Sequence, residues 1–289
     1  MVVLVRTLER SEGSDWGHRS AGPLAYAATT AARLDPCQSR PVLPLRDHLP
    51  TRSVPIVNYA LIAANVVVFV LELGNLGSLS SRFPPDTAAE AVVRLWGLVP
   101  ARAIRDPMGS VEAVFTSMFS HDPTGFMHIG GNMLFLWIFG DNVEDAMGHG
   151  RYAAFYLSGG VCAAAAQILA NPTSTVPMVG ASGAISAVLA AYLLLYPRSP
   201  ITVFNPILPL WLFFGLFLHF PAWLVIGEFF VVNLWSALHS TTGVGTAFMA
   251  HVGGFLGGAV LLGVFMAGRD RMDDYARWQR WAERRQRLQ

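Results

Sequence analysis

Five stretches of this 289-residue chain, 56–73, 127–147, 152–170, 221–238 and 247–267, are each apolar over close to the length of a bilayer-spanning helix. A hydrocarbon core of about 30 Å takes roughly 20 helical residues to cross. Lipid offers no hydrogen-bond partner to a bare backbone, so runs of this length must satisfy their own N–H and C=O groups as helices. A sixth, shorter run, 182–196, reads "SGAISAVLAAYLLLY". A seventh candidate, 201–220, carries Pro206 and Pro209, which break its first half. At 53% hydrophobic and 13% charged residues the chain is too apolar for an ordinary soluble domain. The expected fold is an all-α polytopic membrane protein, a six-transmembrane-helix bundle with a short central helix.

Arginine placement orients the bundle, because cytoplasmic flanks collect basic residues. All 20 basic residues are arginine, with seven in 1–52 and seven in 269–287. Six spans put both arginine-rich ends inside and leave Arg151 and Arg198 in short inner turns. Seven would put the C-terminal "RDRMDDYARWQRWAERRQR" outside. The segment 201–220 is therefore predicted to be a re-entrant or interfacial excursion on the cytoplasmic side. The division that follows is a poorly ordered cytoplasmic tail over 1–50, a membrane domain over 51–268 and a basic cytoplasmic tail over 269–289, whose Trp278 and Trp281 suit a headgroup layer. The start of the chain has charge too early for a secretory leader.

Polar side chains inside spans are costly and each is a functional hypothesis. Ser182 opens the short helix in "GASG", His251 lies one turn into the last span in "AHVGGFLGG", and His128 and Asn132 share one face of a helix at i, i+4 spacing. Counting about 1.5 Å per residue from inner ends at Tyr196 and Ala267 puts Ser182 and His251 at similar heights, roughly 21 and 24 Å up. Small residues, Gly183 with Ala187 on one helix and Gly254 with Gly258 on the other, allow close backbone approach. This set suits nucleophilic acyl transfer: Ser182 as nucleophile, His251 as general base, and an oxyanion site from His128, Asn132 and the N–H groups around Gly180, Ala181 and Ser182 at a helix start. Glu144, Asp145 and Glu228 map toward the inner side, so a dyad is expected rather than a triad.

Other chemistries are excluded by residue inventory. Without lysine no Ser-Lys enzyme can be built. Cys37 and Cys162 stand far apart, and His121, His149, His219 and His239 show no metal-ligand spacing, so no metal and no cofactor are expected. "GVGTA" lacks the features of a phosphate loop, and no nucleic-acid partner is implied. A transporter predicts repeated broken helices, and neither "GASG" nor "HIGGN" recurs.

The ordered pieces "HIGGN" followed by "MLFLWIFGDNVEDAMGHGRYAAFYLSGG", "GASGAISAVLAAY" and "AHVGGFLGG" resemble the rhomboid intramembrane serine proteases in their bacterial six-span form, over about 43–268. The resemblance implies Ser182 as nucleophile, His251 as base, and His128 and Asn132 as oxyanion contributors. It implies cleavage of single-span membrane-protein substrates near the outer boundary of a bacterial plasma membrane, among its lipids. The alternative is a non-proteolytic helix-binding or chaperone relative, against which retained Ser182 and His251 argue. Three departures stand out: no Trp-Arg pair precedes the HxxxN helix, Ser186 replaces a tyrosine four residues after the nucleophile, and Ala146 stands where an arginine is common. An aromatic such as Phe248 or Phe255 is expected to hold His251 in place of that tyrosine.

Overall fold

The computed structural model describes residues 44–204, 216–239, 247–268 and 283. Among them are a strand β1 (Pro44–Asp47), the long helix α1 (Ile56–Ser80), then α2 (Pro85–Trp96), α3 (Pro100–Arg105) and α4 (Val111–Thr116). There follow α5 (Phe126–Met147), α6 (His149–Ala170), α7 (Ser182–Leu195), strands β2 (Pro200–Phe204) and β3 (Phe217–Pro221), α8 (Ala222–His239) and α9 (Phe248–Phe265). Pro44–Asp47, inside the tail expected over 1–50, form a strand because β1 finds an antiparallel partner in β2, which pairs in turn with β3. Most of 201–220, the residues 205–215, falls outside the described residues, as do the earlier part of the N-terminal tail and all of the C-terminal tail except residue 283.

Among the described residues four helices, α1, α6, α8 and α9, are long and apolar enough to cross a membrane. Helix α5 is as long as α6 and carries His128, Asn132, Asp141 and Asn142 along its length, and α7 has only 14 residues. Their outward faces are apolar. On α9 the exposed Leu256, Val260 and Val264 recur every four residues, and on α8 Val231, Trp235 and Leu238 are exposed. Rows like these, unfavourable in water, suit lipid. The chain is an all-α polytopic membrane bundle, with a small three-stranded sheet at one end.

Local chemistry sets the helix ends. Proline opens α2 and α3, where a missing N–H costs nothing. Gly148, at φ 80, ends α5 and lets α6 start at the next residue.

Side-chain bonds give the helix directions. The start of α1 meets the end of α5, where Glu144 accepts from the N–H groups of Val57 (2.9 Å) and Asn58 (2.7 Å). Its far end carries Glu72 to Ser120 and the His121 N–H, just before α5 begins. Helices α5, α7 and α9 therefore run one way, and α1, α6 and α8 the other.

The tandem glycines of α9 serve two neighbours. A Cβ at Gly253 or Gly257 would run into Ala166 or Cys162 on α6, whereas one at Gly254 or Gly258 would strike Gly183 or Ala187 on α7. Gly183 is crowded in turn by Ala163 of α6. Successive i, i+4 pairs sit about 100° apart on a helix, so one short sequence seats α9 in the groove between α6 and α7. Helix α7 is the buried centre: every residue from Gly183 to Tyr192 is buried.

Candidate functional site

Ser182 opens α7 at the end of a segment pinned by backbone bonds. Leu98 and Met178 exchange both hydrogen bonds (2.9 and 2.8 Å), Ala101 N–H donates to Ser174 (2.9 Å), and Gly180 N–H donates to the Ser117 carbonyl (2.9 Å). The loop between α1 and α5, which lacks the Trp-Arg pair, is thereby anchored through its backbone. Gly180 has φ +121, a conformation natural to glycine, and a Cβ there would lie 2.8 Å from His128 Nε2. Backbone and space both demand glycine, and the result lays His128 and Asn132 against the approach to the α7 N-terminus.

Ser182 Oγ and His251 Nε2 are 2.7 Å apart. They come from helices seated against each other by Gly183, Gly254 and Gly258. The other imidazole nitrogen, Nδ1, lies 2.5 Å from Asn233 Oδ1 on α8, and the Phe229 ring stands 6.0 Å from the His251 ring, centroid to centroid. His251 and Asn233 are each 8% exposed, so water competes little for these bonds. Ser186, in the tyrosine position, donates to the Ser182 carbonyl at 2.8 Å.

Two expectations are corrected here. The aromatic beside His251 is Phe229 of α8, which also supplies Asn233, while Phe255 packs on Phe230 at 4.6 Å. A pair without a third partner was expected because only acids were considered, and an amide fills the place. The available signal was an asparagine within an apolar run.

The second correction concerns the oxyanion donors. Gly180 N–H is spent on Ser117 and cannot serve. The N–H groups of Ala181 and Ser182 stand at a helix start, where the first turn has no intrahelical acceptors and the helix dipole favours negative charge.

Asn132 is 8% exposed and held by His121, with Asn132 Nδ2 and His121 Nε2 3.0 Å apart. His121 Nδ1 faces the Phe119 carbonyl at 3.2 Å, so Nδ1 carries the proton and Nε2 accepts from the amide. Burial, and then the neighbouring His128, hold the His121 imidazole down at about 4, which keeps it neutral in this role. The sequence marked His121 only as a loop hydrogen-bond partner; the structure shows that its partner is Asn132. His128 is exposed and meets the His121 ring edge-on, with centroids 5.1 Å apart. Among the described residues no three His, Cys, Asp or Glu side chains gather as a metal site.

A helical membrane bundle with a part-buried Ser–His pair at the start of its central helix, beside a His-x-x-x-Asn face, narrows the class of protein sharply. The sequence profile of the Rhomboid domain matches residues 109–268, more than half of the chain. The chain belongs to the rhomboid family. Among curated relatives it is 31% identical over 104 residues to the mitochondrial Rhomboid protein 1 of Saccharomyces cerevisiae, covering 35% of this chain and 30% of the yeast protein. It is 30% identical over 146 residues to the mitochondrial presenilin-associated rhomboid-like proteins of Homo sapiens and Bos taurus, covering 50% of this chain and 34% of each relative. The matched part spans about a third of the length of these relatives.

Proposed function

We propose that this chain is an intramembrane serine endopeptidase that hydrolyses peptide bonds in or next to transmembrane segments of single-span membrane proteins. The observation that carries the reading is the 2.7 Å approach of Ser182 Oγ to His251 Nε2 inside an apolar bundle. Serine is a weak nucleophile until a base takes its proton.

In this reading Ser182 Oγ bonds to the substrate carbonyl carbon while its proton passes to His251 Nε2. The carbonyl oxygen becomes an oxyanion facing the Ala181 and Ser182 N–H groups and the side chains of His128 and Asn132. The C–N bond then breaks as His251 returns the proton to the leaving amine. An ester to Ser182 remains. Water attacks it, His251 takes the water's proton, and Ser182 regains its own as the acid product leaves. No metal or cofactor takes part. In this reading both termini face the cytoplasm, as the arginine asymmetry suggests, and the bundle sits in a bacterial plasma membrane, whose lipids bathe the outward faces of α8 and α9.

The test is cleavage of a single-span reporter in liposomes together with labelling by a fluorophosphonate. Wild type is expected to cut and label, and Ser182→Ala to lose turnover by about 10⁴-fold or more and all labelling. A folded wild type that neither cuts nor labels would favour a helix-binding relative.

A further inference from the structure

We propose that Asn233 is a positioning residue of the active site, which selects the tautomer of His251 that can act as a base; this rests on the serine-protease reading above. An asparagine amide can present either its oxygen or its nitrogen to a neighbour, and here a second contact decides. Asn233 Nδ2 donates to the Phe229 carbonyl one turn back on α8, at 2.8 Å. With the nitrogen committed there, Oδ1 is the atom that faces His251 Nδ1 at 2.5 Å. Oδ1 only accepts, so Nδ1 must carry the proton. Nε2 is left with a free lone pair, and it is the atom 2.7 Å from Ser182 Oγ.

The chain of contacts Phe229 C=O, Asn233, His251, Ser182 thus has one consistent direction of donation, and it ends on the hydroxyl to be activated. Reversing the tautomer would set Nδ1 lone pair against Oδ1 lone pair and leave Nε2 unable to accept. No carboxylate is needed for this, which fits a site in lipid: an ionised acid at this depth would carry a desolvation cost that a neutral amide avoids. Asn233 also makes α8 part of the site, although that helix bears neither the nucleophile nor the base.

Asn233→Leu keeps the branched outline and removes the acceptor, so kcat is expected to fall about 10- to 100-fold with KM unchanged, less than the roughly 10⁴-fold that follows loss of a charged orienting carboxylate. Asn233→Asp restores an acceptor toward Nδ1 and is expected to recover most of the lost kcat. A purely structural role would give the opposite order, since leucine suits an apolar helix better than aspartate. Nitrogen NMR of histidine-labelled wild type, with a folded His251→Gln variant identifying the signals, is expected to show the proton on Nδ1. A proton on Nε2, or an Asn233→Leu enzyme with wild-type kcat, overturns the assignment. If wild type itself fails to cut or label, the protease reading fails instead; the NMR result still reports the tautomer.

Discussion

At its far end α5 buries Asn142 and Glu144, and at its near end it places Asn132 and His128, so a single helix carries two polar clusters of similar composition. At the far end every group has several partners. Glu144 accepts from two N–H groups at the start of α1 and from His149 Nδ1 (2.5 Å). Asn58 bridges to the Leu136 carbonyl and to Tyr152 OH, and Asp47 of β1 accepts from Asn142 Nδ2 (2.7 Å) and Tyr192 OH (2.9 Å). Asp145 holds Arg52, just before α1, at 2.7 Å. The near end is sparser. Ser182, His251 and Asn233 form a single chain of bonds, and the Ala181 and Ser182 N–H groups stand at the helix start. Polar groups that saturate one another hold helices together; a row with its last valence open can act on something else.

This contrast can be broken at either end. The largest effect is expected at the near end, where Asn132→Ala should lower kcat by about 10²- to 10³-fold with little change in KM or in resistance to unfolding, because an oxyanion donor works in the transition state. Steady-state kinetics beside a denaturation curve check it, and a rise in KM alone would move Asn132 to substrate binding.

At the far end the order of effects reverses. Glu144→Gln sets an NH2 group against the α1 N–H donors and should cost about 1–3 kcal/mol of stability while the folded fraction keeps its kcat. Equal loss of kcat in the folded fraction would mean that the two clusters are coupled along α5.

The smallest effect belongs to Asp47. Burial, and then repulsion from Asp141, raise its carboxyl from 3.8 to about 7, against the hydrogen bond from Tyr192. The folded state therefore keeps a proton that the unfolded chain has released, and stability falls as pH rises toward 7, with the loss complete above it. Between about pH 6 and about pH 8 this amounts to about 1 kcal/mol. Thermal unfolding across that range should show the decline in wild type and a flatter profile in Asp47→Asn. An identical slope in both would place the titrating group elsewhere.

Much of the near cluster was legible because its members break a local pattern: a serine between glycines at a helix start, and histidine and asparagine on one face of an apolar run. Asn233 breaks the same pattern, but an asparagine in a span also fits a local bond to the carbonyl four residues back, and it makes that bond. β1 was hidden for a different reason. "PLRD" has no apolar alternation and sits in an arginine-rich stretch, and it becomes a strand only because β2, more than 150 residues later, offers its edge.

By itself the sequence determined the membrane-spanning class, the start of α7 at Ser182 and the identity of the nucleophile and base candidates, since hydropathy, glycine punctuation and residue chemistry are properties of short windows. Tertiary structure alone decided which glycine pair faces α6 and which α7, that Gly180 N–H is already occupied by Ser117, and that an amide from α8 turns His251 toward the serine. Those outcomes depend on how each helix is rotated and seated against its neighbours, and that rotation is set by the summed packing of all of them rather than by any one run of residues.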